Sequence, residues 1–181
     1  MALAADNLIR FAPVAAGYRS LIIGWLQQPH VSQWLHGAGL QNTLDSLDQF
    51  LEGEAEFDHW LVSEQGTPFA YLLTSTVDQM AAEVAAVPFA GDRAMTLDVF
   101  IGEPDYLGKG LGTALIQQFI ERQFPEITDV LIDPEATNAR AIHVYQKLGF
   151  RIIETFIAPW HPVPHYLMHL DCLAGRHDLT R

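Results

Sequence analysis

The sequence predicts an α/β fold built on a mixed sheet, from three observations. Strand signals crowd the first half of the chain, and residues 94–170 then read strand, helix, strand, helix, strand. His59 to Glu64 and Pro68 to Thr76 are joined by Gln65-Gly66-Thr67, a hairpin connection that makes neighbours antiparallel, whereas the later strand–helix–strand units make them parallel.

In chain order, Leu8 to Val14 reads as a short strand. Leu21, Ile22, Trp25 and Leu26 recur at helical spacing until Pro29 interrupts them, and Val31, Trp34 and Leu35 follow. Thr43 is expected to cap a second helix with Leu44, Leu47, Phe50 and Leu51 on one face, and Gly53 suits the left-handed position past its end. The hairpin comes next. Residues 78–93 lack a period and read as a loop with a helical piece around Met80 to Val87.

From Ala94, Met95, Leu97, Val99 and Ile101 alternate with Thr96, Asp98 and Phe100, so Asp98 points away from Leu97 and Val99. A glycine-rich turn leads into a helix striped by Leu111, Leu115, Phe119 and Ile120, which ends before Pro125. Val130-Leu131-Ile132 is a short buried strand. Asn138 can cap a helix lined by Ala141, Ile142, Tyr145 and Leu148, and Gly149 ends it. Strands Phe150 to Ile157 and His165 to Leu170 close the fold, separated by a Trp160-His161-Pro162 connection.

A length of 181 residues suits one domain, with 49% hydrophobic and 18% charged residues arguing for a packed core rather than disorder. Cys172 is the only cysteine, so an intramolecular disulfide and a cysteine zinc cluster are excluded, which fits the cytoplasm. The start MALAADNLIR lacks a signal-peptide pattern, and no apolar run approaches the ~20 residues of a membrane span. The net charge of −12 disfavours nucleic acid and would attract a cationic substrate, although an acidic balance more often serves solubility alone. His161 and His165 stand four apart, but Pro162 and Pro164 prevent the helix that would align them, so no metal is expected there.

Leu107-Gly108-Lys109-Gly110-Leu111-Gly112-Thr113 lies between a strand and a helix, where backbone amides and the positive helix end can hold an anion. Alternating glycines also serve a plain tight turn. A phosphate loop of the G-x-x-x-x-G-K-[ST] type fails twice: five residues separate Gly102 from Gly108, and Gly110 stands where the hydroxyl should be. The run G-x-G-x-G also misses the dinucleotide fingerprint G-x-G-x-x-G.

The segment LDVFIGEPDYLGKGLGTALI, residues 97–116, resembles the acetyl-CoA pyrophosphate loop of the GNAT superfamily of N-acetyltransferases, and DPEATNARAIHVYQKLGF, residues 133–150, resembles that superfamily's second cofactor motif. Leu107 replaces the usual Gln or Arg, as in the aminoglycoside 6′-N-acetyltransferases, whose preceding strand carries an aspartate at the place of Asp98. Trp25-Leu26, His30 and Trp34 match a spacing in the same subfamily. The stretch Ala81-Ala82-Glu83-Val84-Ala85-Ala86-Val87 departs from the acidic, tryptophan-bearing stretch of the antibiotic-modifying enzymes. A branch that acetylates hydroxylamino groups in siderophore synthesis looks similar around IGEPDYLGKGLG but has histidine in place of Asp98.

The resemblance implies a GNAT-type sheet with helices on both faces, one acetyltransferase domain over 1–181 and a cofactor half over about 94–157. It gives acetyl-CoA to Val99, Phe100 and Ile101 of the strand, to the backbone of Leu107 and residues 108–113, and to Asn138. It assigns the substrate's amino groups to Asp98 and Asp133, a wall of the substrate site to Trp34, and a place near the cofactor sulfur to Tyr145.

Transfer from a thioester needs a neutral amine, a donor for the developing oxyanion and a proton for the departing sulfur. Asp98 can take the ammonium proton, an unpaired N–H near Val99 or Phe100 can hold the oxyanion, and Tyr145 can protonate sulfur. Each residue also has an ordinary use: Asp98 as a strand residue, Tyr145 and Trp34 as core aromatics, Asp133 as a turn initiator and Asn138 as a cap. Three functions remain open: an aminoglycoside-type N-acetyltransferase, an acetyltransferase for another amine such as a polyamine or hydroxylysine, and a CoA-binding module without catalysis. The small cationic amine is the expected partner; the oligomeric state is left open.

Overall fold

The computed structural model describes residues 9–54, 56–77 and 93–174. Its strands are β1 Ile9–Pro13, β2 Asp58–Glu64, β3 Thr67–Thr76, β4 Ala94–Ile101, β5 Asp129–Ile132, β6 Arg151–Ala158 and β7 His161–Asp171. Its helices are α1 Arg19–Leu26, α2 Pro29–Ser32, α3 Gly37–Glu52, α4 Leu111–Gln123 and α5 Ala139–Lys147. The strands form one sheet in the order β1-β2-β3-β4-β5-β7-β6. Leu8 and residues 78–92 of the loop expected over 78–93, with its helical piece at Met80–Val87, lie outside the described residues.

Local chemistry explains most boundaries. Gln65 and Gly66 both take positive φ, 50° and 84°, which matches the twist of a two-residue hairpin and joins β2 to β3. Gly53 ends α3 at φ 84°, and Gly149 follows α5 at φ 99°. Asn138 caps α5 by accepting from the Ala141 N–H at 3.2 Å.

Three expectations are corrected. Pro29 opens α2, where its missing N–H costs nothing, rather than only interrupting a helix. Thr43 is not a cap: α3 begins six residues earlier at Gly37, and the Thr43 hydroxyl donates back to the Gly39 carbonyl at 3.1 Å. The connection at residues 160–162 is shorter than expected, because β7 begins at His161. Pro164 is tolerated there because, beyond the last β5 pair of Ile132 with Met168, the backbone bonding it takes part in uses its carbonyl, which accepts from the Ala136 N–H at 2.8 Å.

Helices cover both faces. Leu115, Ile116 and Phe119 of α4 pack on Leu72, Leu97 and Val130 of one face, and Tyr145 of α5 joins that core. Ile22, Trp25 and Leu26 of α1, with Leu47 of α3, pack on Leu61, Tyr71 and Leu73 of the other. Within this second layer His59 is fully buried, bonded through Nε2 to Ser46 Oγ at 2.8 Å and through Nδ1 to the Tyr71 hydroxyl. Burial pushes its pKa down to about 4, so the ring is neutral.

The sheet is not continuous along its length. Parallel pairing joins Ala94–Thr96 of β4 to Asp129–Leu131 of β5 and goes no further, while β4 runs on to Ile101 beside β3 alone.

Candidate active site

Where β4 and β5 part, a cavity of about 300 Å³ opens, walled by residues 98–101 on one side and residues 132–135 on the other. The strand register decides what β4 shows to it. Gly102 donates to the Phe69 carbonyl directly opposite, so going back along β4 the backbone groups of Phe100 and Asp98 also turn to β3. Those of Val99 and Ile101 turn to the opening. Of the two positions expected to offer an unpaired N–H, only Val99 turns its backbone to the opening, and Phe100 contributes its side chain to the wall.

The Ile101 carbonyl on that side accepts from the His30 ring at 2.8 Å. Trp25 of α1 donates its indole N–H to Glu103 at 2.8 Å. Helices α1 and α2 thus clamp the end of β4 and the corner beyond it. The turn Pro104–Tyr106 that follows is pinned by the Tyr106 ring, stacked on Phe69 at 4.4 Å.

Gly108 and Gly110 then take left-handed φ values of 77° and 74°, and Gly110 is the N-cap of α4. A Cβ on Gly110 would meet nothing within 4 Å, so the amides of this turn and of the first turn of α4 present an open, positive surface. Leu107 and Gly112 line the cavity; Gly108, Lys109 and Gly110 form the turn after Leu107, and Leu111 and Thr113 lie in the first turn of α4 rather than in the wall. The cap bond occupies the Asn138 side-chain oxygen and leaves its NH₂ for the cavity that Asn138 also lines. Left-handed glycines, the helix N-terminus, the cleft-facing Val99 and Ile101 backbone and the Asn138 amide together fit a diphosphate followed by an extended amide-bearing arm.

Asp98 and Tyr145 reach the cavity from opposite faces of the sheet. Asp98 alternates with Leu97 and Val99 and lies on the α1–α3 face; Tyr145 comes from the α4 face and is 8% exposed. Burial raises the Asp98 carboxyl to about 6. Burial also raises the Tyr145 hydroxyl well above its ordinary value, with smaller contributions from the charges of Asp98 and Asp133. At neutral pH this pairs a carboxylate near its working range as a base with a phenol that stays protonated and can donate. Trp34 and Asp133 line the same cavity.

The structure adds wall residues that sequence reasoning did not place: His30, Glu135, Arg140, Trp160 and His165. His30 had a signal, its spacing from Trp25 and Trp34. Glu135 had none, since only the register of β7 brings it to His165. His161 and His165 do come close, at 5.7 Å between rings; a regular strand would hold residues four apart at about 13 Å, and the bulge between the pairs Ile157–Pro164 and Ala158–His161 bunches β7 here.

Comparison with known proteins places this geometry. Residues 19–157 match the acetyltransferase (GNAT) domain family. The chain is 30% identical over 152 residues to an aminoglycoside N(6′)-acetyltransferase type 1 of Klebsiella pneumoniae, covering 77% of this chain and 72% of that one. It superposes with a TM-score of 0.85 and 42% identity on the crystal structure of an aminoglycoside N(6′)-acetyltransferase from Legionella pneumophila, covering 96% and 97% of the two chains. A structure of aminoglycoside acetyltransferase AAC(6′)-Ib in complex with coenzyme A and kanamycin, 21% identical over 95% and 99% of the chains, shares the fold with a TM-score of 0.74.

Proposed function

Because the chain belongs to the acetyltransferase (GNAT) family, we propose that it acetylates a primary amine of a small polycationic substrate, of the aminoglycoside 6′-amine type. It is an acetyl-CoA-dependent N-acetyltransferase. One observation carries the substrate side of the proposal: the parting of β4 and β5 puts Asp98 and Tyr145 at one cavity, with Asp133, Glu135 and two indoles in the same wall. Carboxylates beside aromatic faces suit ammonium groups.

In this reading Asp98 binds the ammonium and accepts its proton, directly or through water, so that a neutral amine faces the thioester. The Val99 N–H meets the oxyanion as it develops; as the carbon–sulfur bond breaks the Tyr145 hydroxyl gives its proton to the departing sulfur, and the second proton that the nitrogen sheds as the amide forms restores Tyr145. Asn138 and the turn at 108–113 hold the acyl donor in register. Trp34 and Trp160 wall the amine's side, and a cytoplasmic setting goes with acetyl-CoA as co-substrate.

The test is acetyl-CoA turnover against kanamycin-type aminoglycosides, polyamines and hydroxylysine. Highest kcat/KM on an aminoglycoside with a free 6′-amine is the expected result. Preference for a polyamine or hydroxylysine would move the chain to the branch for another amine, and CoA binding without turnover on any amine would make it a binding module.

A further inference from the structure

The site poses an electrostatic problem. The chain carries a net charge of −12, Asp98, Asp133 and Glu135 line the cavity, and an acyl-CoA brings its own phosphates. Among the described wall residues, Arg140 is the only lysine or arginine. Lys109, within the turn, holds its Nζ 5.8 Å from the centre of the Tyr106 ring.

Arg140 stands at the second position of α5, after the cap Asn138 and Ala139. A cation there opposes the helix dipole, which favours negative charge in the first turn. No acidic residue of that turn offsets it, and Arg140 makes no hydrogen bond or ion pair among the described residues. Its Nη2 instead reaches across to the glycine turn, 3.9 Å from where a Cβ of Gly108 would lie. The N-termini of α4 and α5 and one guanidinium thus converge, an arrangement of like charge that becomes favourable when an anion sits among them. A guanidinium offers paired N–H donors matched to phosphate oxygens.

We infer that Arg140 is the side-chain anchor of the acyl-CoA diphosphate, completing the amide cradle of residues 108–113. The inference rests on the acetyl-CoA reading of that turn.

Calorimetric titration of wild type, Arg140→Gln and Arg140→Lys with CoA and with 3′-dephospho-CoA tests it, alongside thermal denaturation without ligand. Arg140→Gln should weaken both ligands about 10- to 100-fold, the range of one or two charge-assisted hydrogen bonds, and Arg140→Lys should recover part of the loss. The ligand-free Tm of Arg140→Gln should equal or exceed that of wild type, since a charge of the wrong sign for the helix has gone. Unchanged CoA affinity would overturn the assignment, as would a loss seen with CoA but absent with 3′-dephospho-CoA, which would give Arg140 to the 3′-phosphate. A clearly lowered ligand-free Tm would make the role structural. Wild-type protein that binds no CoA would remove the cofactor reading itself.

Discussion

The indole ring of Trp25 stands where a side chain on residue 102 would have to go: a Cβ built on Gly102 falls 2.1 Å from Trp25 Cγ and Cδ2. The contact fixes the corner between β4 and the glycine turn, and Trp25 secures it further through Glu103. Gly102→Ala should therefore destabilise the protein by about 1–3 kcal/mol, because backbone and a buried ring must both shift. Urea denaturation gives the value; wild-type stability would mean that the corner yields freely.

Asp98→Asn should keep CoA affinity and lower turnover by roughly 10²–10⁴, the range for a general base. In the wild type, kcat/KM for the amine should rise as pH climbs through about 6, where the carboxyl loses its proton, and the variant should lack that limb. Intact kinetic constants would remove Asp98 from the site.

The same shift acts on stability with the opposite sense. An aspartate raised to about 6 from 3.8 holds its proton in the folded state after the unfolded chain has released it, so its contribution falls as pH rises from about 4 to 6. Above that window Asp98→Asn should be at least as stable as wild type in thermal denaturation. A marked loss would assign Asp98 a structural role.

His59 works the other way. Its pKa is held at about 4 against an ordinary 6.5, so the unfolded chain takes up the proton first and stability drains as pH falls from 6.5 toward 4. His59→Gln should show a flatter stability profile across this window, measured by urea denaturation at several pH values, whatever its stability at neutral pH.

Gly110→Asp should weaken CoA binding by roughly 100-fold, by placing a carboxylate where the diphosphate meets the amides. Gly110→Asn is the control, since both residues tolerate a φ of 74° and only one brings charge. Equal affinity of the two variants would show that the diphosphate lies elsewhere.

A polycationic amine held by Asp98, Asp133 and Glu135 should bind less well as salt screens those charges, with a Debye length of ~10 Å at 0.1 M. Its KM should rise with ionic strength. A flat response would favour an amine of low charge.

The sequence was most legible where local rules decide. The alternation from Met95 to Ile101, the hairpin at Gln65-Gly66, the left-handed Gly53 and the Asn138 cap each express a preference of a few neighbouring residues, and each appears in the structure. Thr43 misled because a helix can start in a poor context, Gly37-Ala38-Gly39, when packing elsewhere along it holds it in place. The cavity itself was not legible. Its walls at Glu135, Trp160 and His165 depend on β7 lying between β5 and β6, a long-range pairing that no local pattern reports.

The early end of the β4–β5 ladder has an evolutionary consequence. With the acyl donor on the glycine turn and the amine at Asp98, as proposed, the first would be met by residues 99–113 and 138–145 and the second by residues 30–35, 98, 133–135 and 160–165. The two sets meet at the gap but are largely carried by different stretches of chain and opposite layers of the fold. Substitutions can therefore retune which amine is accepted while the acyl donor keeps its grip, and a lineage can change clients without relearning its chemistry.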